Sequence, residues 1–118
     1  MRIIGGALKG KSINFLKNLT TRPLKDSVKE NIFNILKHSN LINIRIENSN
    51  ILDLYSGIGS FGLEGLSRGA KRAIFIEQNK EVANILKENL NKLSLTNKTL
   101  VFEKNIENVL ADEIKEKF

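Results

Sequence analysis

The sequence predicts an α/β fold in which a basic arm and a helix precede a parallel sheet. From Asn50 onward, short apolar runs alternate with helical patterns in the order β-α-β-α-β-α. Helical crossovers of this kind make the strands parallel and the connections right-handed. The length of 118 residues and the hydrophobic content of 41% support one modest core. We divide the chain into an extension, residues 1–49, and the sheet, residues 50–118.

Positive charge is concentrated at the start of the chain. Residues 1–30 carry seven Lys or Arg and two acids, a net +5 of the total +6. Such a surplus can neutralise the phosphates of RNA, although a solvated basic face has the same composition. The Gly5-Gly6 pair lies between two short extended segments, residues 2–4 and 11–15, and predicts a basic β-hairpin or arm.

Pro23 marks a loop before the first helix, because it holds Arg22 in an extended conformation on an ordered bend. Asp26 fits an N-cap, and an apolar stripe follows it at helical spacing. The stripe consists of Val28, Ile32, Phe33, Ile35 and Leu36. We expect it to be buried, and Lys29 and Glu30, which lie off it, to face solvent.

Residues 50–70 form the unit around which the other elements are placed. An apolar strand ends at Asp53 and passes through Gly57-Ile58-Gly59 into a helix that we expect from about Gly62 to Gly69. Glycine lacks a Cβ, so it permits both the tight bend and the approach of a ligand to amides at a helix N-terminus.

Two further strand and helix pairs follow this unit. Residues 73–77 predict a strand that is buried on both faces and ends in a carboxylate. Asn79 can cap a long helix with buried positions at the 3.6 period. These positions are Val82, Ile85, Leu86, Leu90 and Leu93. Residues 99–103 predict a third strand, and residues 106–114 a further helix.

The segment between the first helix and the first strand allows two interpretations. Residues 38–49 are polar and rich in asparagine, which favours a linker. Ile42, Ile44 and Ile46 alternate, however, as in a short strand. The sequence alone leaves both open.

Three polar residues follow the three strands of the sheet: Asp53, Glu77 and Asn105. Ligands of open parallel sheets bind at this edge. Glu77 lies twenty positions after Gly57, the spacing at which a carboxylate accepts hydrogen bonds from ribose hydroxyls. An asparagine can pair with an adenine amino group and ring nitrogen. Together these roles describe an adenosyl ligand, although a loop acceptor, a strand-end charge and a helix cap are structural alternatives.

Residues 57–62 also match the dinucleotide pattern G-x-G-x-x-G, so NAD is the competing ligand. Asp53 argues against it, since a carboxylate beside the first glycine repels a pyrophosphate. S-adenosylmethionine has no phosphate, and its ammonium and sulfonium groups are attracted to a carboxylate. The preferred cofactor is therefore S-adenosylmethionine.

At these residues the sequence resembles class I S-adenosylmethionine-dependent methyltransferases. More closely, it is similar to the bacterial 16S ribosomal RNA (guanine-N2)-methyltransferase family. The matching pieces are MRIIGG with Lys9-Gly10-Lys11, the Arg22-Pro23 loop with DSVKE and Phe33-Asn34, and LDLYSGIGSFGLEGLSRGA. The resemblance covers essentially the whole chain. It implies the N-terminal part of a Rossmann-like sheet, and methylation of a guanine N2 amine in the 16S rRNA of the 30S subunit or its assembly intermediate.

The resemblance also implies roles for individual residues. Asp53, Tyr55, Gly57, Gly59, Glu77 and Asn105 would hold the cofactor. Arg2, Lys9, Lys11 and Arg22 would contact rRNA. Where the family has an aspartate at the adenine, this chain has Asn105, whose amide oxygen can still accept the hydrogen bond.

Relatives continue into a fourth strand that ends in an Asp/Asn-Pro-Pro-Tyr/Phe motif, which holds the target amine. Here Pro23 is the only proline, and the sequence ends at Phe118. We therefore name no catalytic residue and expect the 118 residues alone to be marginally stable and inactive. The first strand would then lie at an open sheet edge, where it could pair with another chain. We expect full-length members of the family to be monomeric, and the exposed edge to favour association of this chain. A non-catalytic RNA-binding module is the alternative function.

Composition argues against several other classes of protein. The chain has no cysteine and a single histidine, His38, so we expect neither disulfides nor a metal site. No apolar run approaches the roughly 18 residues of a membrane span, and the N-terminus lacks an apolar signal segment. We expect a cytoplasmic protein with no membrane partner.

Overall fold

Three parallel strands form the sheet of the computed structural model, in the order β1-β2-β3. The strands are β1 (Asn50–Leu54), β2 (Arg72–Ile76) and β3 (Thr99–Phe102). The helices are α1 (Asp26–His38), α2 (Ser60–Ser67) and α3 (Lys80–Lys92), with 3₁₀ turns at Thr96–Lys98 and Ile106–Asn108. The structure describes residues 1–15, 26–38, 45–54 and 56–108. Within them the predicted α/β order and parallel pairing are confirmed.

The register of the sheet aligns the strand ends that carry the candidate binding residues. Asp53 in β1 lies opposite Phe75 in β2, and Ile76 lies opposite Phe102 in β3. β2 is the middle strand and is almost entirely buried, as its apolar sequence predicts. In the described sheet β1 is an edge strand, with Leu52 40% and Leu54 44% exposed.

The predicted N-terminal hairpin is confirmed as a short antiparallel pairing. Arg2 and Ser12 form a bridge, and the amide of Ile3 donates to the carbonyl of Lys11 at 2.9 Å. Ile3 and Ile13 are buried in the same core as Leu63 and Leu86. The hairpin is therefore packed against the sheet domain through its apolar side chains, which leaves its basic side chains outside.

The buried face of α1 differs from the predicted stripe. Phe33 is buried, whereas Val28 is 40% and Ile35 56% exposed. Lys29, expected in solvent, is fully buried, while Glu30 is exposed as predicted. Lys29 and Phe33 are four residues apart and share one helix face, so burying the ring buries the lysine as well. That face carries a charge because a carboxylate lies opposite it, as described below.

The other helices begin and end close to the predicted residues. α2 begins at Ser60, two residues before Gly62, and Gly69 follows it with the left-handed φ of 108° typical of a helix end. The Asn79 side chain accepts a hydrogen bond from the Val82 amide at 3.1 Å, which confirms the predicted cap of α3.

Two predicted features fall partly outside the described residues. A 3₁₀ turn at Ile106–Asn108 is the described part of the last predicted helix, whose residues 109–114 lie outside the described residues. Residues 39–44 of the open linker or strand segment are not described either. No helix in the described ranges is both long and apolar enough to cross a bilayer.

Candidate cofactor site and its contacts with the N-terminal hairpin

The glycine loop after β1 is attached to the end of β2. The Gly57 amide donates to Oε1 of Glu77 at 2.9 Å, and the Ser56 amide donates to the Ile76 carbonyl at 3.0 Å. The Glu77 amide in turn donates to the Phe102 carbonyl at the end of β3. These bonds join the ends of all three strands into one continuous rim.

Glu77 is half-buried and accepts hydrogen bonds through both carboxylate oxygens. Oε1 binds the Gly57 amide, and Oε2 accepts the Asn79 amide at 2.9 Å. Each carboxylate oxygen has two acceptor positions, so both oxygens can accept further hydrogen bonds. Glu77 thus fixes the loop and retains acceptor capacity for the hydroxyls of a ligand.

The side chain of Asp53, in β1, contacts the N-terminal turn of α2. Its Oδ2 accepts a hydrogen bond from the Gly62 amide at 3.1 Å, within the first turn of the helix. The pKa of Asp53 is raised to about 6, chiefly by burial. The hydrogen bond from Gly62 lowers the pKa, and the negative charge of Glu77 raises it further. A cation beside Asp53 would favour its ionised form, so this position suits a positively charged ligand group.

A cleft of about 340 Å³ opens between the ends of β2 and β3. Its walls include Glu77 and Asn105. The other lining residues are Ile76, Gln78, Lys104, Ile106 and Glu107. Its volume lies at the lower end of the range for small-molecule sites, roughly 300–1,000 Å³. The cleft brings together the two residues to which sequence reasoning gave the ribose and the adenine.

The glycines of the loop meet different surroundings. A Cβ on Gly57 would enter open space, whereas one on Gly59 would lie 2.3 Å from Cδ1 of Leu86. Both residues have positive φ, 57° and 91°, a conformation that L side chains rarely adopt. Open space beside Gly57 is what close approach of a ligand to its backbone requires, while Gly59 is also held by packing against α3.

The remaining predicted site residues are divided between the hairpin and undescribed positions. Arg2, Lys9 and Lys11 are exposed on the hairpin. Tyr55 and Arg22 lie outside the described residues.

Sequence reasoning missed a buried ionic cluster beneath the hairpin. Nζ of Lys29 in α1 lies 3.2 Å from Oε1 of Glu64 in α2, and both side chains are fully buried. Lys29 also donates to the Arg2 carbonyl and to Oγ of Ser60, each at 3.1 Å. The cluster thus joins α1, the hairpin and the first residue of α2.

Glu64 holds the hairpin main chain directly. Its two oxygens accept the amides of Ile4 and Gly5, each at 2.9 Å, and Oε2 also pairs with Nε of Arg68 at 2.8 Å. Burial acts to raise the pKa of Glu64, but these hydrogen bonds and the charge of Lys29 outweigh it, so the pKa lies below its ordinary value. Glu64 is therefore a buried, ionised anchor.

Asn89 of α3 was also missed. Its Oδ1 accepts the Asn14 amide at 2.7 Å, and its Nδ2 donates to the carbonyls of Asn14 and Ile58, each at 3.1 Å. The signal was a polar residue on an apolar stripe, since position 89 lies seven after Val82 and three after Leu86. Glu64 carries the same signal within the largely apolar segment of α2.

Comparisons with known proteins agree with the fold and the motifs. The family model described as conserved hypothetical protein 95 matches residues 1–118. Ribosomal RNA small subunit methyltransferase D of Haemophilus influenzae is 43% identical over 93 residues, which are 79% of this chain and 45% of the relative. The protein of the same name in Escherichia coli is 36% identical over 101 residues, 86% of this chain and 48% of the relative.

A solved structure extends the agreement to three dimensions. "Putative methyltransferase yhhF from Escherichia coli" superposes with a TM-score of 0.77 at 32% identity, over 94% of this chain and 55% of that one. The chain spans about half the length of the curated relatives it matches. The predicted Rossmann-like methyltransferase fold is therefore confirmed. The chain belongs to the family described as conserved hypothetical protein 95, as its resemblance to bacterial rRNA methyltransferases predicted.

Proposed function

We propose that the protein takes part in S-adenosylmethionine-dependent methylation of the N2 amine of a guanine in 16S rRNA, on the 30S subunit or an assembly intermediate of it. One observation carries the cofactor part of the proposal: Glu77 holds the Gly57 amide and also lines the cleft that contains Asn105. The names of the relatives support rRNA as the substrate.

The residues at the strand ends fit the cofactor chemically. We assign Asp53 to the ammonium of the methionine part, Glu77 to the ribose hydroxyls and Asn105 to the adenine. Gly57 leaves space for close approach, and Tyr55 and Gly59 complete the proposed set. When bound, S-adenosylmethionine would supply a methyl group on a positively charged sulfur. The chain's residues would bind and orient it, and we assign no catalytic residue.

The extension is proposed to provide the RNA surface. Arg2, Lys9 and Lys11 are exposed on a hairpin whose Ile3 and Ile13 side chains are buried, so their charges are held on an ordered scaffold. Arg22 is proposed to add a further phosphate contact. Residues 1–49 would thus contact rRNA in the cytoplasm while residues 50–118 contribute the cofactor site.

Calorimetric titration with S-adenosylmethionine and with NAD tests the cofactor assignment. We expect saturable binding of S-adenosylmethionine and none of NAD. Glu77→Ala should weaken binding at least tenfold, because it removes the ribose acceptor and releases the Gly57 amide. Glu88→Ala is the matched control, since Glu88 is exposed on α3.

Three outcomes contradict the proposal. Tighter binding of NAD would identify a dinucleotide domain. Equal affinity in the two glutamate variants would remove Glu77 from the site. Binding of 16S rRNA without any binding of S-adenosylmethionine would indicate a non-catalytic RNA-binding module.

A further inference from the structure

We propose that Lys29 and Asn89 are positioning residues that couple the N-terminal hairpin to the glycine loop, so that RNA on the hairpin and cofactor at the loop change each other's affinity. The inference rests on the proposed function, because it takes the hairpin as the RNA surface and the loop as the cofactor site. It adds a connection between the two sites, which are otherwise separate elements.

The first connection runs through α1. The Lys29 ammonium donates to the Arg2 carbonyl in the hairpin and to Oγ of Ser60, the first residue of α2. It also pairs with Glu64, whose oxygens hold the Ile4 and Gly5 amides. One buried cation therefore contacts both the hairpin main chain and the end of the glycine loop.

The second connection runs through α3 and uses different atoms. Asn89 holds both main-chain groups of Asn14, in the second segment of the hairpin, and the carbonyl of Ile58 in the loop. Ile58 and Ser60 lie on either side of Gly59. Each segment of the hairpin is thus attached to one side of the same glycine by a fully buried polar side chain.

Burial makes these attachments stiff. A displaced hairpin would leave the Lys29 ammonium, the Glu64 carboxylate and the Asn89 amide without their hydrogen-bond partners in the hairpin. Buried polar groups that lose their partners destabilise the fold. The hairpin and the loop therefore shift together or not at all. A ligand that orders one of them favours the ordered form of the other, and linkage makes the effect reciprocal.

Two hairpin glycines provide a matched test. A Cβ on Gly6 would lie 2.0 Å from the Ser67 carbonyl oxygen, whereas a Cβ on Gly10 would meet nothing within 4 Å. Their φ angles are nearly equal, 80° and 85°. Gly6→Ala should therefore displace the hairpin from α2, while Gly10→Ala introduces only the same backbone strain.

Amide hydrogen exchange measures how well the loop amides are protected, without any ligand. In Gly6→Ala we expect the amides of residues 57–60 to exchange at least tenfold faster than in Gly10→Ala, relative to the amides of β2 in the same protein. Exchange through global unfolding also exposes the β2 amides, so exchange of the loop amides that is faster relative to β2 reports local opening of the loop. Equal normalised rates in the two variants would overturn the inference.

Calorimetry with S-adenosylhomocysteine, with and without saturating 16S rRNA, reads the coupling itself. We expect RNA to change the affinity of the native chain for S-adenosylhomocysteine at least fivefold. In Asn89→Ala the ratio of the affinities with and without RNA should move toward one. Asn91→Ala, on the exposed face of α3, should keep the native ratio. A native ratio of one with both ligands bound overturns the coupling alone. Binding of neither ligand overturns the proposed function and, with it, this inference.

Discussion

The ammonium of Lys29 lies 3.2 Å from the carboxylate of Glu64, and neither side chain is exposed to solvent. Removing one partner of such a pair leaves the other as an uncompensated buried charge, which typically costs about 3–5 kcal/mol. We therefore expect Glu64→Gln to lower the free energy of unfolding by about that amount in urea denaturation. Glu88→Gln, on the exposed surface of α3, should change it by less than about 0.5 kcal/mol.

The effect of Glu64→Gln should also depend on pH. The folded-state pKa of Glu64 is lowered, so the carboxylate contributes stability above its unfolded pKa of 4.5, and this contribution is lost as the pH falls through the folded value. The difference between native and variant should therefore narrow below about pH 4.5. A difference that stays constant down to pH 3 would contradict the ionic role.

Asp53 is expected to show the opposite pH dependence. Its folded pKa of about 6 lies above the ordinary 3.8, so the folded state binds more protons between these values and its stability falls as the pH rises through them. Asp53→Asn keeps an acceptor for the Gly62 amide and removes the buried charge. It should raise the free energy of unfolding by roughly 1–3 kcal/mol at pH 7.5 and have much less effect at pH 4. Equal effects at the two pH values in urea denaturation would contradict the prediction.

The affinity for the cofactor should also depend on the ionisation of Asp53. If Asp53 binds the ammonium of the methionine part, the ionised carboxylate is the binding form, so affinity for S-adenosylhomocysteine should fall as the pH drops below about 6. Calorimetry at pH 5 and pH 7.5 measures this change. Asp53→Asn should bind more weakly at pH 7.5 and lose most of the pH dependence, and an unchanged profile in the variant would exclude this role.

Two glycines of α2 should differ in their tolerance of alanine. A Cβ on Gly62 would lie 2.3 Å from Cε1 of the Phe75 ring, while one on Gly65 would lie 2.2 Å from Cδ1 of Ile51, the end of a flexible side chain. An isoleucine can change rotamer more easily than a buried ring can shift, so Gly62→Ala should destabilise by about 1–3 kcal/mol more than Gly65→Ala. Thermal denaturation of the two variants checks the order, and the reverse order would show that the ring yields.

Local patterns predicted much of the fold from the sequence. The strands, the Asn79 cap and the hairpin follow from short apolar runs, helical periodicity and turn residues, each of which spans a few positions. The parallel pairing follows from the alternation of strands with helices. The positions of Asp53 and Glu77 at neighbouring strand ends follow from parallel topology. The cofactor roles of these residues stay predictions.

The buried polar residues could not be predicted in the same way. Lys29 is stabilised by a carboxylate 35 positions later, and Asn89 by a main-chain segment 75 positions earlier. A lysine beside an apolar stripe is usually exposed, and only a distant partner reverses that preference. The exposure of Val28 and Ile35 has the same cause, because contacts of Phe33 with Phe61 and Arg68 set which face of α1 is buried.

The glycines of the loop and of α2 show how closely the elements of the fold approach each other. Gly59, Gly62 and Gly65 each leave room for a side chain of a neighbouring element, and only Gly57 adjoins open space. A sequence can therefore match a nucleotide-binding pattern because its helix lies close to its sheet. In this chain packing accounts for the later glycines of the pattern, and its first glycine has the open space that a bound ligand would need.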